Sequence, residues 1–456
     1  MRRFSFLETA IMLETVLQWL VLASLTGALV GTGCSLFLHV LFAATAGTAG
    51  ITLSQQMLLL PLAGLANGLL LHYGRRLDRS GLEDNFFAAI NTQRGRMPLA
   101  TMALKPVAAV LTLAGGGSAG KEGPCSHIGA SFAAGVGQAL RLNTELRQRL
   151  VACGVSAGFA SVFGTPIAGA LYGVEVLAIG RIRTDFLLPA IVGGVTSYNV
   201  SVFWGIPYET YTLAPQIGPA QLLFLKLSLL GVIAGLAAAA FIEAVHGAGR
   251  LSAGLQRRAG IWPPLMPVLG GGVLALLILV IPRDYLGLSL PLLDRALAGE
   301  AMPLAGFAFK IALVAITIGS GFYGGIVTPQ FVIGALAGNA FAPFLGVDPA
   351  LGAAVGMVAV VAAASNTPVA AILMGVELFG TSLGLPFVAG PTVIAFLIVG
   401  HRSIYPRQRM AYAKSSWMRI RPESAIYTEK ARLSHGLIRS WRRLPRLLRG
   451  EWRNRR

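Results

Sequence analysis

The stretch GGGSAGKEGPCSHIGA, Gly115 to Ala130, sets a lysine and a carboxylate side by side behind a run of glycines. It comes within one residue of a phosphate-binding loop, G-x-x-x-x-G-K-[ST], in which backbone N–H groups cradle phosphates and the last hydroxyl holds magnesium. Gly115, Gly120 and Lys121 fit, but Glu122 stands where the hydroxyl belongs. A carboxylate there opposes a polyphosphate, so the loop argues against a nucleotide and for a small-anion site that carries an anion of its own. Pro124 and Pro329 each follow a glycine-rich break at a position favoured in a first helical turn, so helices are expected to begin near Glu122–Pro124 and near Val327–Pro329. Unpaired N–H groups and the helix dipole make such N-termini anion sites that need no fixed positive charge and can release what they bind.

The surroundings of these breaks are apolar. The chain has 456 residues, 55% of them hydrophobic and 12% charged, against about 25% charged in an ordinary soluble domain. Apolar stretches suited to a bilayer recur, among them Leu17 to Ala46, Leu227 to Ile242, Val268 to Ile281 and Leu385 to Val399. The fold class expected is therefore all-α and integral to the membrane. With 56 Gly and 24 Pro, broken, tilted and half-spanning helices are expected, their freed backbone groups paired with protein or lining a polar path. Glu8 and Glu14 in the first apolar segment argue for a retained helix rather than a cleaved leader. Cys34, Cys125 and Cys153 show neither disulfide nor zinc spacing and are read as packing residues. No metal and no cofactor is expected.

Two segments repeat. TPIAGALYGVEV, Thr165 to Val176, matches TPVAAILMGVEL, Thr367 to Leu378, at seven of twelve positions. GKEGPCSHIGA from Gly120 aligns with GIVTPQFVIGA from Gly325, at an offset of 205 residues against 202 for the first pair. Two repeated halves of this kind, commonly inverted, meet in transporter folds around a site built from half-helix N-termini. The expected division is a short segment 1–15, membrane repeats 16–209 and 210–405, and a basic tail 406–456. From His401 onward sixteen Lys or Arg face three Glu, so this end supplies +13 of the formal +18. By the positive-inside bias it belongs in the cytoplasm, and both termini are expected there. Membrane lipid headgroups are a nearer partner for the tail than nucleic acid, which is not expected.

GGGSAGKEGPCSHIG resembles the G-[KR]-E-G-P element of the CLC family of chloride channels and proton-coupled chloride antiporters. GGIVTP resembles that family's G-x-[FI]-x-P element, HRSIYP its late segment ending in an anion-coordinating tyrosine, and RSGLED stands in the place of its G-S-G-I-P element. The resemblance implies a CLC-type fold with Glu122 as gate. It implies anion contacts at Ser80, Gly81, Gly123, Ile326, Val327 and Tyr405, with the N–H groups of Ile326 and Val327 as donors. Lys105 matches a family lysine and, with Lys121, would raise the local positive potential. The resemblance further implies a homodimer in a bacterial inner membrane, and retention of GKEGP and Tyr405 points to chloride or a similar anion.

This sequence departs from the family where it counts for coupling. Proton-coupled members often carry a second glutamate where Val176 follows Glu175 here. The expectation is therefore a passive anion channel rather than an enzyme, with a proton-coupled antiporter as the alternative. An ATP-dependent permease is disfavoured because the loop lacks its Ser/Thr, and a lipid-binding scaffold would leave the pore motifs idle. Glu175 and Glu377, at repeat-related helix ends, are read as structural hydrogen-bonding acids, and His127 as a packing residue.

Overall fold

The computed structural model describes residues 2–208, 210–211, 220–380, 385–426, 428 and 432–433. Among them the α-helices are α1 (Arg2–Thr48), α2 (Leu53–Gly74), α3 (Phe86–Asn91), α4 (Leu104–Ala114), α5 (Glu122–Ala139), α6 (Thr144–Phe163), α7 (Pro166–Glu175) and α8 (Leu187–Phe203). They continue as α9 (Ala220–Ala259), α10 (Leu265–Leu277), α11 (Leu290–Leu297), α12 (Gly306–Gly319), α13 (Val327–Phe341), α14 (Pro349–Ser365), α15 (Pro368–Phe379) and α16 (Leu385–Ile398). Two-residue strands β1 (Ala178–Ile179), β2 (Arg409–Met410) and β4 (Ser424–Ala425) form a small sheet in the order β1-β2-β4, and β3 (Met418–Arg419) pairs with β5 (Arg432–Leu433).

Only four described helices are long and apolar enough to cross a membrane alone, those within α1, α2, α8 and α9. Five of the others, α10, α12, α14, α15 and α16, are apolar but only 12 to 17 residues long. Exposed Val21, Leu36, Leu225 and Leu236 give α1 and α9 apolar outer faces suited to lipid. The centre is held by α6 and α14, buried continuously from Leu150 to Phe163 and from Leu351 to Ser365. Both helices stop the same way. Gly164 and Asn366 adopt left-handed φ of 72° and 57°, types that tolerate it, and a Thr-Pro pair starts α7 and α15 with proline in the first turn.

The repeat is visible in packing as well as in sequence. A Cβ on Gly129 of α5 would lie 2.0 Å from the Gly154 carbonyl oxygen of α6, and one on Gly334 of α13 would lie 2.4 Å from the Gly356 carbonyl oxygen of α14. Small residues at these crossings let the backbones touch, which apolar packing in lipid favours. The two halves also exchange contacts reciprocally. Glu377 of α15 accepts from the N–H groups of Ile167 (3.0 Å) and Ala168 (2.8 Å) in α7, and Glu175 of α7 accepts from Val369 (3.1 Å) and Ala370 (2.7 Å) in α15. Each helix end caps the start of its counterpart, the pattern of a pseudo-two-fold relation between antiparallel partners. The structural reading of these two acids holds.

Residues 406–426, expected as part of a basic tail, fold back on the helices. Gln408 is fully buried and donates to the Val176 carbonyl (2.8 Å) and the Ser365 carbonyl (2.9 Å), while β2 pairs in parallel with β1. Lys414 Nζ donates to Asn366 Oδ1 (2.6 Å) and to the Phe396 carbonyl (2.7 Å) in the last turn of α16, where a cation meets the negative helix end. The run LIRSWRRLPRLLRGEWRNRR lies outside the described residues.

Candidate functional site

Two helix N-termini meet at the glycine-rich breaks. Gly120 and Gly325 form an isolated antiparallel bridge, each N–H donating to the other's carbonyl at 2.7 Å. A Cβ on Gly325 would stand 2.8 Å from the backbone nitrogens of Glu122 and Gly123, so no other residue lets α5 and α13 start this close together. Both helices begin where their first-turn prolines predict, at Glu122 and at Val327.

Glu122 fills the junction. It is 1% exposed. Its Oε1 accepts the Thr328 hydroxyl, and the backbone N–H groups of Val327, Thr328 and Glu122 itself face the carboxylate. Its Oε2 is buried with no hydrogen-bond partner. The carboxylate thus lies against the N-terminus of α13. Ile326 and Val327, whose N–H groups were inferred from sequence as donors to an anion, are the N-cap and first residue of α13, and the Val327 N–H is among those facing the carboxylate.

The other expected residues divide. Gly123 sits against Gly325, its absent Cβ leaving room for the crossing. Lys121 acts on the charge of Glu122 and lies 5.3 Å from the Phe42 ring. Lys105 pairs with Asp84 (3.2 Å), so its charge is locally balanced, and His127 is buried 3.3 Å from the same carboxylate. Tyr405 is half-buried, its ring 5.6 Å from Phe87.

Ser80 and Gly81 are not brought to this group. They lie exposed in a turn where the Ser80 N–H donates to Asp78 Oδ1 (2.9 Å) and the Ser80 hydroxyl accepts from the Leu82 N–H (3.2 Å). The element that reaches Tyr405 is the start of α3, capped by Asn85, whose Oδ1 accepts from the Phe87 N–H at 2.8 Å. An N-cap asparagine just ahead of an apolar run was the available signal.

The structure adds residues that no motif announced. Tyr405 Oη lies 3.2 Å from Tyr172 Oη, Tyr172 donates to Ser365 Oγ (2.7 Å), and Ser365 donates to Gln330 Oε1 (2.9 Å). Tyr172, Ser365 and Gln330 are fully buried. Tyr172 and Tyr405 both stand within electrostatic reach of Glu122. A row of polar groups in the apolar interior, with donors aligned in one direction, leads from the Tyr405 side to α13, whose N-terminus faces Glu122.

Because Glu377 and Glu175 cap helices away from this row, Glu377→Ala should lower the unfolding temperature in detergent by an amount matching about 1–2 kcal/mol, the usual worth of a lost cap. Anion flux and its pH dependence should stay as in the parent. A changed pH dependence would assign Glu377 to transport instead.

Residues 63–400 match the family described as voltage gated chloride channel. The chain is 35% identical over 425 residues to a chloride/fluoride channel protein of Pseudomonas syringae pv. tomato, covering 91% of each chain. The crystal structure of a CLC-type fluoride/proton antiporter superposes with a TM-score of 0.79 at 31% identity, over 86% of this chain and 98% of that one. A slow cyanobacterial Cl−/H+ antiporter shares the fold, with a TM-score of 0.69 at 22% identity over 84% of this chain and 94% of that one. With paired helix N-termini closed by a glutamate and these likenesses over most of its length, the chain belongs to the CLC family of membrane anion-transport proteins.

Proposed function

We propose that the protein exchanges a small anion, chloride or fluoride, for protons. Glu122 serves as both the gate of the anion site and the proton carrier. The observation that carries this reading is the seat of the Glu122 carboxylate on the N-termini of α5 and α13, in the place of an anion. As a carboxylate it competes with the permeant ion for the same N–H groups. Once protonated it loses most of that attraction and can swing away with its proton, leaving the seat to the ion.

The passive channel was the simpler expectation while Val176 stood in place of an internal carboxylate. The buried row Tyr405–Tyr172–Ser365–Gln330 supplies another proton route. Each hydroxyl in it both donates and accepts, so a proton can pass among Tyr405, Tyr172 and Ser365; the Gln330 amide only accepts a hydrogen bond at the inner end, and the proton passes to Glu122 when that side chain swings to the row. The relatives lend weight to this reading. One is named a fluoride/proton antiporter and another a chloride/fluoride channel protein, which widens the anion class beyond chloride. We read the assembly as a homodimer with one pathway per chain, on the family resemblance alone. The arginine-rich C-terminal side faces the cytoplasm, by the positive-inside bias.

Purified protein in liposomes carrying an outward chloride or fluoride gradient should drive protons inward against their own gradient. Anion flux with no linked proton movement for either ion would return the protein to the channel class.

A further inference from the structure

Residues 407–428 and α3 line an open cavity of about 530 Å³. Its floor is Phe87, whose ring also packs against Tyr405 at 5.6 Å, so the cavity adjoins the end of the polar row. Three arginines line it, Arg407, Arg409 and Arg421, together with Asn91 and one carboxylate, Glu423. Two of these charges are partly engaged. Arg407 pairs with Glu83, and Arg409 lies 3.7 Å from Glu423, which also holds Arg181 at 2.9 Å. Arg421 forms no ion pair among the described residues and is exposed. The wall therefore carries more guanidinium than carboxylate, and each guanidinium has five donors, of which a carboxylate contact uses at most two.

This chemistry differs from that of the transport site. The junction at Glu122 would hold an anion with N–H and hydroxyl dipoles, which let an ion leave, whereas arginine forks match the paired oxygens of a phosphate or carboxylate. The volume lies within the usual range for small-molecule sites, about 300–1,000 Å³, far beyond the needs of one halide. We propose that this cavity binds a phosphorylated small anion, held chiefly by Arg421 and Arg409, and that its occupant slows anion transport by closing the mouth beside Tyr405. This site is separate from the gate and stands whether or not transport is coupled to protons.

The test uses full-length protein and inorganic pyrophosphate as probe. Calorimetry should show saturable binding that Arg421→Gln weakens about tenfold or more, the worth of one charged hydrogen-bonded contact, and that Arg421→Glu removes. In liposomes, pyrophosphate on the side of the C-terminal segment should slow chloride flux through the parent protein and spare the Arg421→Gln protein. Without pyrophosphate the two proteins should conduct equally. Absence of binding, or equal binding by the parent and both variants, overturns the proposal. Slower basal flux in Arg421→Gln also overturns it, because the arginines would then be a funnel for the transported ion itself. Arg421 lies on the surface, so its variants should retain the parent's elution volume and unfolding temperature.

Discussion

Glu122→Gln should abolish proton movement driven by an anion gradient while leaving a chloride flux that no longer varies with pH. The substitution keeps the side chain's shape and a carbonyl oxygen for the Thr328 hydroxyl, but removes both the charge and the titrating proton. In the parent the N–H groups of Val327 and Thr328 are taken up by an internal carboxylate. Hydrogen bonds to a charged group contribute about 1.5–3 kcal/mol, against roughly 1 for a neutral pair. An external anion that no longer competes with the carboxylate should therefore bind about tenfold more tightly, or better. Anion-dependent heats in calorimetry and paired chloride and pH recordings from liposomes measure the two effects separately. Retained pH dependence in the variant would mean that Glu122 is a fixed helix cap, and both the gate and the proton carrier would have to be sought elsewhere.

What the sequence reveals here is whatever chemistry is local in the chain. Each half-helix start needs a glycine break, a proline in the first turn and an apolar run, all within about ten residues, and α5 and α13 begin where that pattern places them. The repeat was readable for the same reason, since Thr165–Pro166 and Thr367–Pro368 each restart a helix after a left-handed stop at Gly164 or Asn366. The polar row was not readable. Tyr172, Ser365, Gln330 and Tyr405 come from α7, α14, α13 and the segment after α16, and their meeting depends on how those elements pack rather than on any spacing within one of them. Thr328 lay inside a motif singled out from the start, yet a motif that works through backbone N–H groups says nothing about the side chain beside them. Ser80, read from a matching dipeptide, stands exposed with its hydroxyl taken up by a local turn, and the helix start beside Tyr405 is marked by Asn85 instead.

Buried polarity in this interior is handled in two ways. Groups that only need satisfying are paired across the pseudo-two-fold, as Glu175 and Glu377 are with the N-termini of α15 and α7. Groups near the junction are left partly unsatisfied, notably Glu122 Oε2 and Gln330 Nε2. A buried polar atom without a partner costs about 1–3 kcal/mol.

Tyr172→Phe tests the row itself. The ring is fully buried and held by Phe159 at 4.5 Å and Phe163 at 5.9 Å, so phenylalanine should keep its place and the fold. Only the hydroxyl is lost, and with it the group that hydrogen-bonds to both Tyr405 and Ser365. If protons travel along this row, their transport should fall by at least about tenfold, at or below the low end of what a positioned proton-transfer group contributes. Anion flux should persist, because the N–H groups at the junction remain, and the ratio of anions to protons should rise accordingly. Ser365→Ala, which breaks the next link, should reproduce the same uncoupling, and the two changes combined should add little to either alone. A Tyr172→Phe protein that keeps parental coupling would mean that water, rather than this row, brings protons to Glu122, leaving the gate intact and its proton supply open to solvent.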